Sequence, residues 1–273
     1  MRFSLITATL GRREELITLM ESLCSQDFKD FEFILVDQNT DGRLDEVVAQ
    51  FADKINLTHI KSDIKGLSYN RNLGLEVAKG EIVAFPDDDS FYAPDVLIKM
   101  DRSFKDYAAE KLRLLKIEDP VTKKVWLEGK SGIVRRSELM KYANSINIFL
   151  ARRDGMKFDS RLGVGAEFGS GEESDFLWNE LGKDDCGRFV DAVVYHLECS
   201  VNYRDSAKLY SYGLGWGAIF KKEIYGRGNR AAYAQFIYGL VRSIGGMVLK
   251  PEKRAYLNIL KGRIKGFRTF PKY

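Results

Sequence analysis

Histidine and cysteine are scarce in this chain of 273 residues. Its two histidines are too few for a histidine-rich metal centre. The three cysteines, Cys24, Cys186 and Cys199, lie far apart and form no CxxC pair. The sequence therefore indicates neither a disulfide framework nor a zinc cluster, and it fits a reducing compartment.

Long apolar runs are also missing. No segment reaches the roughly 18 consecutive apolar residues that a membrane-spanning helix needs. The apolar residues 3–9 are too few for the core of a signal peptide, but they suit a buried strand. With 45% hydrophobic and 30% charged residues the composition is that of a folded protein, which we expect in the cytoplasm.

Positive charge is concentrated at one end of the chain. The net charge is +4, yet residues 250–273 alone hold eight Lys or Arg residues and one acid, Glu252. Such local basic character predicts a surface contact. It does not favour nucleic acid as a partner, because the aromatic residues among the cations have core-like spacing.

The first hundred residues alternate between strand and helix patterns. The sequence predicts strands over 3–9, 33–37, 57–60 and 81–85, and helices from about residue 12, over 44–51 and over 68–79, with Gly80 as a helix cap. Strands separated by single helices predict βαβ units and a mainly parallel sheet. The carboxyl ends of its strands then lie along one edge, where ligands of such sheets bind.

The rest of the chain has a different pattern. A β-hairpin is predicted over 112–127, with its turn at Asp119-Pro120. Short strands are predicted over 131–134, 146–151 and 189–195, and helices over 207–225, 231–249 and 251–267. The sequence contains no internal repeat and no obvious linker, so one large domain with a helical extension is the simplest expectation.

Three consecutive carboxylates, Asp87, Asp88 and Asp89, follow the fourth predicted strand. Such groups repel one another and resist burial unless a cation compensates them. Mg²⁺ and Mn²⁺ prefer oxygen ligands and often bind through one or two carboxylates together with substrate phosphates. An acidic turn in solvent is the alternative, and the position after a buried strand favours the metal site.

Four segments of the N-terminal half carry a more specific likeness, namely residues 6–12, 33–37, 66–74 and 80–89. In order and spacing they resemble the family 2 glycosyltransferases with the GT-A fold, and the resemblance covers about residues 1–200. It implies an α/β, Rossmann-like GT-A fold with a mixed, mainly parallel sheet flanked by helices. The expected domains are a catalytic domain, 1–205, with a nucleotide-binding half, 1–100, and an acceptor half, 101–205, and a helical basic extension, 206–273.

The resemblance also implies a donor site. The nucleotide-sugar is expected to contact side chains from all four segments: Thr7, Thr9, Asp37, Arg71, Asp87 and Asp88. Of these, Thr7, Thr9 and Asp37 are expected to hold the nucleobase. Arg71 is placed near the diphosphate or sugar, and Asp87 towards the ribose or sugar. Asp89 is expected to bind the metal, Mn²⁺ or Mg²⁺, that bridges the diphosphate. A helix-surface arginine and a turn carboxylate are the alternatives for Arg71 and Asp37.

A second acidic segment, Glu172-Glu173, opens a predicted helix. Acids are favoured at a helix N-terminus by about 0.3–1 kcal/mol whatever their function. By the resemblance Glu173 stands where the family has an aspartate as catalytic base, and Glu172 is the second candidate. His196, at the end of a predicted strand, is expected beside the metal or diphosphate, with a purely structural histidine as the alternative.

Together these features predict a metal-dependent inverting glycosyltransferase. It would move one sugar from a nucleotide-diphosphate sugar, with a UDP-sugar favoured, to a hydroxyl of a saccharide, glycoprotein or lipid-linked acceptor in bacterial surface glycan or glycoprotein assembly. The Gln-x-x-Arg-Trp motif of processive synthases is absent, which predicts single additions. The alternatives are a non-catalytic subunit with the same fold and a sugar nucleotidyltransferase, which would need a Gly-rich phosphate loop that the first strand lacks.

The C-terminal helices leave three interpretations open. They could form an amphipathic surface that contacts anionic lipid at the inner face of the membrane. They could equally form a homo-oligomer interface, with Tyr233, Phe236, Tyr238 and Met247 as its packing face. The third interpretation is a set of helices packed on the catalytic domain, with their charges in solvent.

Overall fold

The structure is a computed structural model that describes residues 1–129, 132–197 and 203–271. These residues form two compact units, the first comprising residues 1–65, 69–157 and 179–199 and the second residues 66–68, 158–178 and 200–273. Ser131, the first residue of a predicted strand, lies outside the described residues, as do Cys199 and the cation Lys272. The domain boundaries at residues 100 and 205 stay predictions.

The first part of the chain alternates strands and helices, as its sequence pattern predicts. The elements are β1 (Phe3–Thr9), α1 (Glu14–Cys24), β2 (Phe31–Asp37), α2 (Asp45–Phe51), β3 (Leu57–Lys61), α3 (Leu67–Val77), β4 (Ile82–Ala84), β5 (Phe91–Tyr92) and α4 (Val96–Asp106). The next are β6 (Leu112–Glu118), β7 (Val125–Leu127), β8 (Ile133–Arg135), α5 (Leu139–Tyr142), β9 (Ile148–Ala151), α6 (Glu172–Glu180) and β10 (Cys186–Tyr195). β6 and β7 pair antiparallel, which confirms the hairpin.

The described strands of the first unit form one mixed sheet, in the order β3-β2-β1-β4-β9-β6-β10-β5, with β7 on β6 and β8 on β10. Around β1 the pairing is parallel, to β2 on one side and to β4 on the other. β9 is antiparallel to both of its neighbours, β4 and β6. The α/β fold expected from the sequence, with its mixed sheet flanked by helices, is therefore confirmed.

The core of the first unit explains why these segments form strands and helices. Every residue of β2 is buried, as expected for a central parallel strand that is covered on both faces. α1 buries four residues at helical spacing, Leu16, Leu19, Met20 and Leu23, and its acids Glu14 and Glu15 lie in the first turn, where the helix dipole favours them.

The second unit is mainly helical in its C-terminal part. It contains α7 (Ser206–Lys221), a π-helical turn (Lys222–Gly226), α8 (Ala232–Leu249) and α9 (Lys253–Thr269), which confirms the three helices expected there. α7 and α9 approach closely through glycines, since a Cβ added to Gly213 would lie 3.0 Å from the Cα of Gly262. None of the helices in the described ranges is long and apolar enough to cross a membrane.

Gly80 is not the helix cap that its position predicts, because α3 ends three residues earlier, at Val77. The chain instead passes against β1 at this residue. The Gly80 N–H donates to the Oγ of Ser4 over 2.7 Å. A Cβ at Gly80 would lie 2.4 Å from the backbone nitrogen of Ser4 and 2.5 Å from the carbonyl carbon of Phe3. The glycine is thus required by the close approach of two backbones just before β4.

We expect the Gly80→Ala variant to be less stable than the wild type by about 1–3 kcal/mol, because the added methyl group meets backbone that cannot yield without displacing β1. Gly182→Ala is the matched control, since a Cβ there would make only ordinary contacts with Asp185, the nearest at 3.6 Å. Urea unfolding of the three proteins measures the difference. Equal stability of the Gly80 and Gly182 variants would contradict the prediction.

Candidate active site

The acidic run lies where β1 and β4 end side by side. In their parallel register Leu5 pairs with Ala84, so that continuing both chains by two and four residues brings Thr7 beside Pro86 and Thr9 beside Asp88. The Thr7 hydroxyl donates to the Pro86 carbonyl oxygen over 2.8 Å. The register of two strands therefore positions the loop that carries the carboxylates.

Thr9, two residues after Thr7 on β1, also donates to the acidic loop. Its hydroxyl donates to Oδ2 of Asp88 over 2.6 Å. Both threonines are fully buried. Their hydroxyl groups hold the acidic loop in place, which is a role that the family resemblance did not assign to them; their contact with a nucleobase stays a prediction.

Each carboxylate of the run has a cationic partner, and Asp88 and Asp89 share one. The guanidinium of Arg71 contacts Asp87 at 2.7 Å, and Asp87 also accepts from the Ser145 hydroxyl over 3.2 Å. Arg12 contacts both other carboxylates, that of Asp88 at 3.1 Å and that of Asp89 more closely. The mutual repulsion that the sequence implies is thus offset by cations and hydroxyl donors around the run.

Arg71 is buried, with 1% of its side chain exposed. It lies on α3, with its guanidinium carbon 6.0 Å from the centre of the Phe85 ring. A buried arginine is costly unless it is paired, and its contact with Asp87 meets this requirement within the first unit. Arg71 is therefore not a helix-surface arginine, and it directs the Asp87 carboxylate.

Asp88 is a weaker acid than an ordinary aspartate. Burial raises its pKa to about 6, against the lowering effects of the Thr9 hydroxyl and of Arg12. The carboxylates on either side, Asp87 and Asp89, raise it further. Near neutral pH Asp88 is therefore the member of the run whose charge the fold accommodates least well.

Asp89 lies opposite His196, with 3.4 Å between Oδ1 and Nε2. Burial raises the pKa of Asp89, but His196 and Arg12 outweigh this effect and bring it to about 2. The contact with Asp89 in turn raises the pKa of His196, against a smaller effect of burial. Asp89 is therefore ionised throughout the physiological range, and His196 is its cationic partner at lower pH.

The His196 ring is oriented by the backbone. Its Nδ1 lies 2.7 Å from the carbonyl oxygen of Leu197, and since a carbonyl accepts, Nδ1 carries the donated hydrogen. The neutral ring then has its lone pair on Nε2, the nitrogen that faces Asp89. A histidine held in this way by its Nδ1–H is typical of a metal ligand.

These two groups fit a divalent metal in part. The ionised carboxylate of Asp89 faces the Nε2 atom of His196, and the same carboxylate is also paired with the guanidinium of Arg12. Within the ranges that the structure describes, no group of three or more His, Cys, Asp or Glu side chains could hold a metal ion. Asp89 and His196 are therefore the two described side chains that could contribute to a metal site here, and this assignment stays a prediction.

Asp37 ends β2 at the same edge of the sheet and is completely buried. Its Oδ1 accepts from the backbone N–H and the side-chain amide of Asn39, both over 2.8 Å. Its Oδ2 lies 3.2 Å from Nε2 of His59. The carboxylate therefore orders the turn after β2, and its contact with a nucleobase stays a prediction.

Glu172 and Glu173 open α6 and belong to the second unit. Glu172 is buried against Gly163, where a Cβ would lie 3.0 Å from the Glu172 carboxyl carbon, while Glu173 is partly exposed. In the same first turn the buried Asp175 contacts Lys222 at 2.7 Å and Arg227 at 2.6 Å. These two cations anchor the start of α6 to the C-terminal helices of its own unit.

The structure thus brings one group of the expected site residues together in the first unit: Thr7, Thr9, Arg71, Asp87, Asp88, Asp89 and His196. Asp37 lies at the same sheet edge, and the two glutamates belong to the second unit. Three neighbours of these side chains have no role in the site predicted from the sequence: Arg12, Ser145 and His59. Arg12 lies inside the first family-like segment, so its place near the site could have been predicted. No local pattern could have predicted the role of Ser145, which is 58 residues from its partner Asp87.

The sequence matches the family described as "Glycosyl transferase family 2" over residues 4–152, more than half of the chain. The chain therefore belongs to this family, which confirms the family expected from the sequence.

Two curated relatives show the extent of the likeness. "Poly(ribitol-phosphate) beta-N-acetylglucosaminyltransferase TarS" of Staphylococcus aureus is 31% identical over 101 residues, which are 36% of this chain and 18% of that protein. "GalNAc(5)-diNAcBac-PP-undecaprenol beta-1,3-glucosyltransferase" of Campylobacter jejuni is 35% identical over 91 residues, 32% of this chain and 29% of that protein. The aligned parts thus amount to less than a third of either relative.

Solved structures share the fold over nearly the whole chain. S. aureus TarS 1–349 in complex with UDP-GlcNAc superimposes with a TM-score of 0.70 at 21% identity, covering 99% of this chain and 82% of that one. The mannosyltransferase PcManGT of Pyrobaculum calidifontis in complex with GDP-Man and Mn²⁺ gives 0.61 at 15% identity, covering 97% and 86%. At these identities the likeness shows a common fold.

The raised pKa of Asp88 predicts that the acidic run lowers stability at neutral pH. An unfolded aspartate has a pKa of about 3.9, so between about pH 4 and 6 the folded protein binds the proton more tightly and stability falls as the pH rises. Asp88→Asn removes the charge but keeps an acceptor for Thr9. We expect it to raise the free energy of unfolding by about 1–3 kcal/mol at pH 7.5, and by much less at pH 4.

Urea unfolding of both proteins at these two pH values measures this effect. Asp184→Asn, at an exposed acid of the same unit, is the control and should change little at either pH. The prediction fails if the Asp88 variant is no more stable than the wild type at pH 7.5, or if its advantage is the same at both pH values.

Proposed function

We propose that this protein transfers a single sugar from a nucleotide-diphosphate sugar to an acceptor hydroxyl, with inversion at the anomeric carbon, in the assembly of a bacterial surface glycan or glycoprotein. The observation that carries the proposal is the gathering of Asp87, Asp88 and Asp89 with Thr9, Arg12 and His196 where β1 and β4 end. Family membership supports the same class of reaction.

The donor would bind at this edge of the sheet. Asp37 is the proposed acceptor for a ring N–H of the nucleobase, because its carboxylate is fixed in direction by Asn39. Asp87 would accept from the hydroxyl groups of the ribose or sugar, in the orientation that the buried Arg71 gives it. Arg12, which contacts two carboxylates, is suited to turn its guanidinium to phosphate oxygens when a diphosphate is present.

Asp89 and His196 would hold the divalent metal, Mn²⁺ or Mg²⁺, together with oxygen atoms of the diphosphate. A bound metal would offset the negative charge that develops on the departing nucleotide diphosphate. For the protein this means that Asp89 must be ionised and that His196 must be neutral. The contact with the Arg12 guanidinium favours the ionised form of Asp89, and the backbone contact of Nδ1 favours the neutral form of His196.

We propose Glu173 as the general base that takes the proton of the attacking acceptor hydroxyl. Its side chain is partly exposed, whereas that of Glu172 is buried against Gly163. Attack from the face opposite the leaving nucleotide inverts the anomeric centre in one displacement, so no second carboxylate is needed as a nucleophile. Lys222 and Arg227 would keep Glu173 in place through their contacts with Asp175.

The names of similar proteins support a glycan acceptor and a nucleotide-sugar donor. One relative is named as a poly(ribitol-phosphate) transferase and another as acting on an undecaprenol-linked saccharide. The proteins of shared fold were solved with UDP-GlcNAc and with GDP-Man and Mn²⁺. A UDP-sugar donor and a saccharide, glycoprotein or lipid-linked acceptor are therefore the first substrates to examine.

The direct test is a donor screen by thermal shift and by donor hydrolysis, with UDP-, GDP- and dTDP-sugars in the presence and absence of Mn²⁺. We expect one nucleotide family to raise the melting temperature, and to do so more strongly with Mn²⁺. If none of these donors shifts the melting temperature and none is hydrolysed, the proposed function is wrong.

The assignment of the base predicts a separation of turnover from binding. Glu173→Gln should lower kcat by about 10²–10⁴-fold and leave the donor Kd within a few-fold of the wild type. Glu167→Gln, at an exposed glutamate of the same unit, is the control and should keep its activity. Steady-state kinetics and calorimetric titration of the donor give the two quantities. Loss of activity in Glu172→Gln with none in Glu173→Gln would transfer the role to Glu172.

Two protein ligands are too few to hold a divalent metal tightly, so we predict that the metal and the nucleotide bind cooperatively to the protein. We expect Mn²⁺ to bind weakly to the protein alone and at least about tenfold more tightly when UDP is present, because the diphosphate supplies the remaining ligands. The affinity should fall as the pH is lowered and His196 keeps its proton. The paramagnetic resonance signal of free Mn²⁺ reports binding. Equal affinity with and without UDP, or an unchanged gain in Asp89→Asn, would contradict the site.

A further inference from the structure

α8 has two faces of different character. The buried face, with Ala232, Phe236, Gly239, Ser243 and Gly246, packs on the other helices of the second unit. Phe236 stacks on Trp216 and Phe267, with ring centres 5.5 and 4.2 Å apart. Phe236 therefore belongs to the interior of its own unit and does not lie on the packing face in which the oligomer interpretation placed it.

The opposite face of α8, here named the outer face, is apolar from Ile237 to the end of the helix at Leu249. It comprises Ile237, Tyr238, Val241, Ile244, Val248 and Leu249, each between 50% and 81% exposed. Arg242 is the single charged residue in the sequence of α8. Scattered exposed apolar residues are ordinary, but a continuous face of this length marks an interaction surface.

The chain around the outer face is strongly basic. Residues 203–271 hold 14 Lys or Arg residues and three acids. Two of these cations, Lys222 and Arg227, are paired with acids inside the unit. Exposed cations flank α8 in sequence and lie within it: Arg230, Arg242, Lys250, Lys253 and Arg254. An occupant of this surface must therefore combine an apolar interior with negative charge at its boundary.

A second copy of the chain meets this requirement poorly. In a twofold interface the same surface faces itself, so pairing two outer faces would bring their flanking cations together. A bilayer with anionic headgroups presents acyl chains and negative charge in the required arrangement. Tyr238, with an apolar ring and a polar hydroxyl, is also of the residue type that is enriched where hydrocarbon meets headgroups.

We propose that the outer face of α8 docks on the surface of a membrane that contains anionic lipid. The helix lies along the surface with its apolar side chains among the outermost acyl groups, while Arg242, Lys250, Lys253 and Arg254 contact the headgroups. The protein does not need to cross the bilayer for this, and no described helix could do so. The proposal concerns this surface alone and does not depend on the glycosyltransferase reaction.

Vesicle flotation of the unmodified protein is the first test. We expect it to float with phosphatidylcholine vesicles that contain about 30% phosphatidylglycerol, and far less with pure phosphatidylcholine. Salt at about 0.5 M should release most of it, because the Debye length then falls to a few ångströms. The absence of flotation on anionic vesicles at low salt overturns the proposal, even without any variant.

Two triple variants locate the contact. Lys250→Ala/Lys253→Ala/Arg254→Ala should lower the partition coefficient by about 100-fold, at roughly fivefold for each cation. Ile237→Ser/Val241→Ser/Val248→Ser should lower it by more than about tenfold. All six positions are exposed, so circular dichroism and melting temperature should stay close to the wild type.

Matched controls carry the same changes at exposed positions of the first unit. They are Lys54→Ala/Lys65→Ala/Lys183→Ala for the charges and Ile64→Ser/Val77→Ser/Val121→Ser for the apolar side chains. Both controls should float as the wild type does. If the controls lose binding as much as the α8 variants, or if the α8 variants float normally, the outer face is not the docking site.

Sedimentation velocity separates the membrane from a second copy. We expect the wild type and the triple serine variant of α8 to have the same sedimentation coefficient. The mass of both should stay constant over the concentration range. A self-associating wild type that these substitutions convert to a monomer, together with no flotation, overturns the proposal in favour of an interface between copies.

Discussion

The repulsion among three adjacent carboxylates at the end of β4 is the constraint on which the organisation of the first unit depends. Three such charges cannot share a half-buried loop in an apolar fold unless each has a partner of its own. The structure supplies these partners: Arg71 for Asp87, Thr9 with Arg12 for Asp88, and His196 with Arg12 for Asp89. Compensation is incomplete at Asp88, where burial keeps the pKa near 6. A fold that tolerates such a cost at the carboxyl edge of its sheet has the properties of a ligand site rather than those of a solvated turn.

The parallel register of β1 and β4 positions the three carboxylates beside Thr7 and Thr9. Because Leu5 lies opposite Ala84, the two threonines that follow on β1 fall beside the loop after β4 and donate to it. The absence of a side chain at Gly80 lets the chain enter β4 against the backbone of β1, which fixes that register from the other end. Packing and chemistry are therefore linked: a change that displaces β4 also displaces the carboxylates.

Local pattern was enough to predict the central strands, α1 and its buried face, and the helices of the C-terminal part, since these depend on periodicity over short windows. It placed Asp37 and the acidic run at one edge, because parallel strands end on the same side. It could not predict that Thr7 and Thr9 hold the acidic loop, that Arg12 bridges two carboxylates, or that Phe236 turns inward, because these contacts join residues distant in sequence. Gly80 was misread for a similar reason, since its neighbour is β1 and not the end of α3. The roles of Glu172 and Glu173 rest on resemblance, because a helix N-terminus favours acids in any case.

We propose that the acidic run is a metal-dependent donor site. The most direct measurement is the anomalous diffraction of crystals grown with Mn²⁺ and UDP, which locates the metal without reference to activity. We expect one strong manganese peak between the carboxylate of Asp89 and Nε2 of His196, adjoining the diphosphate oxygens. A manganese peak elsewhere, or UDP bound with no metal at Asp89, would contradict it.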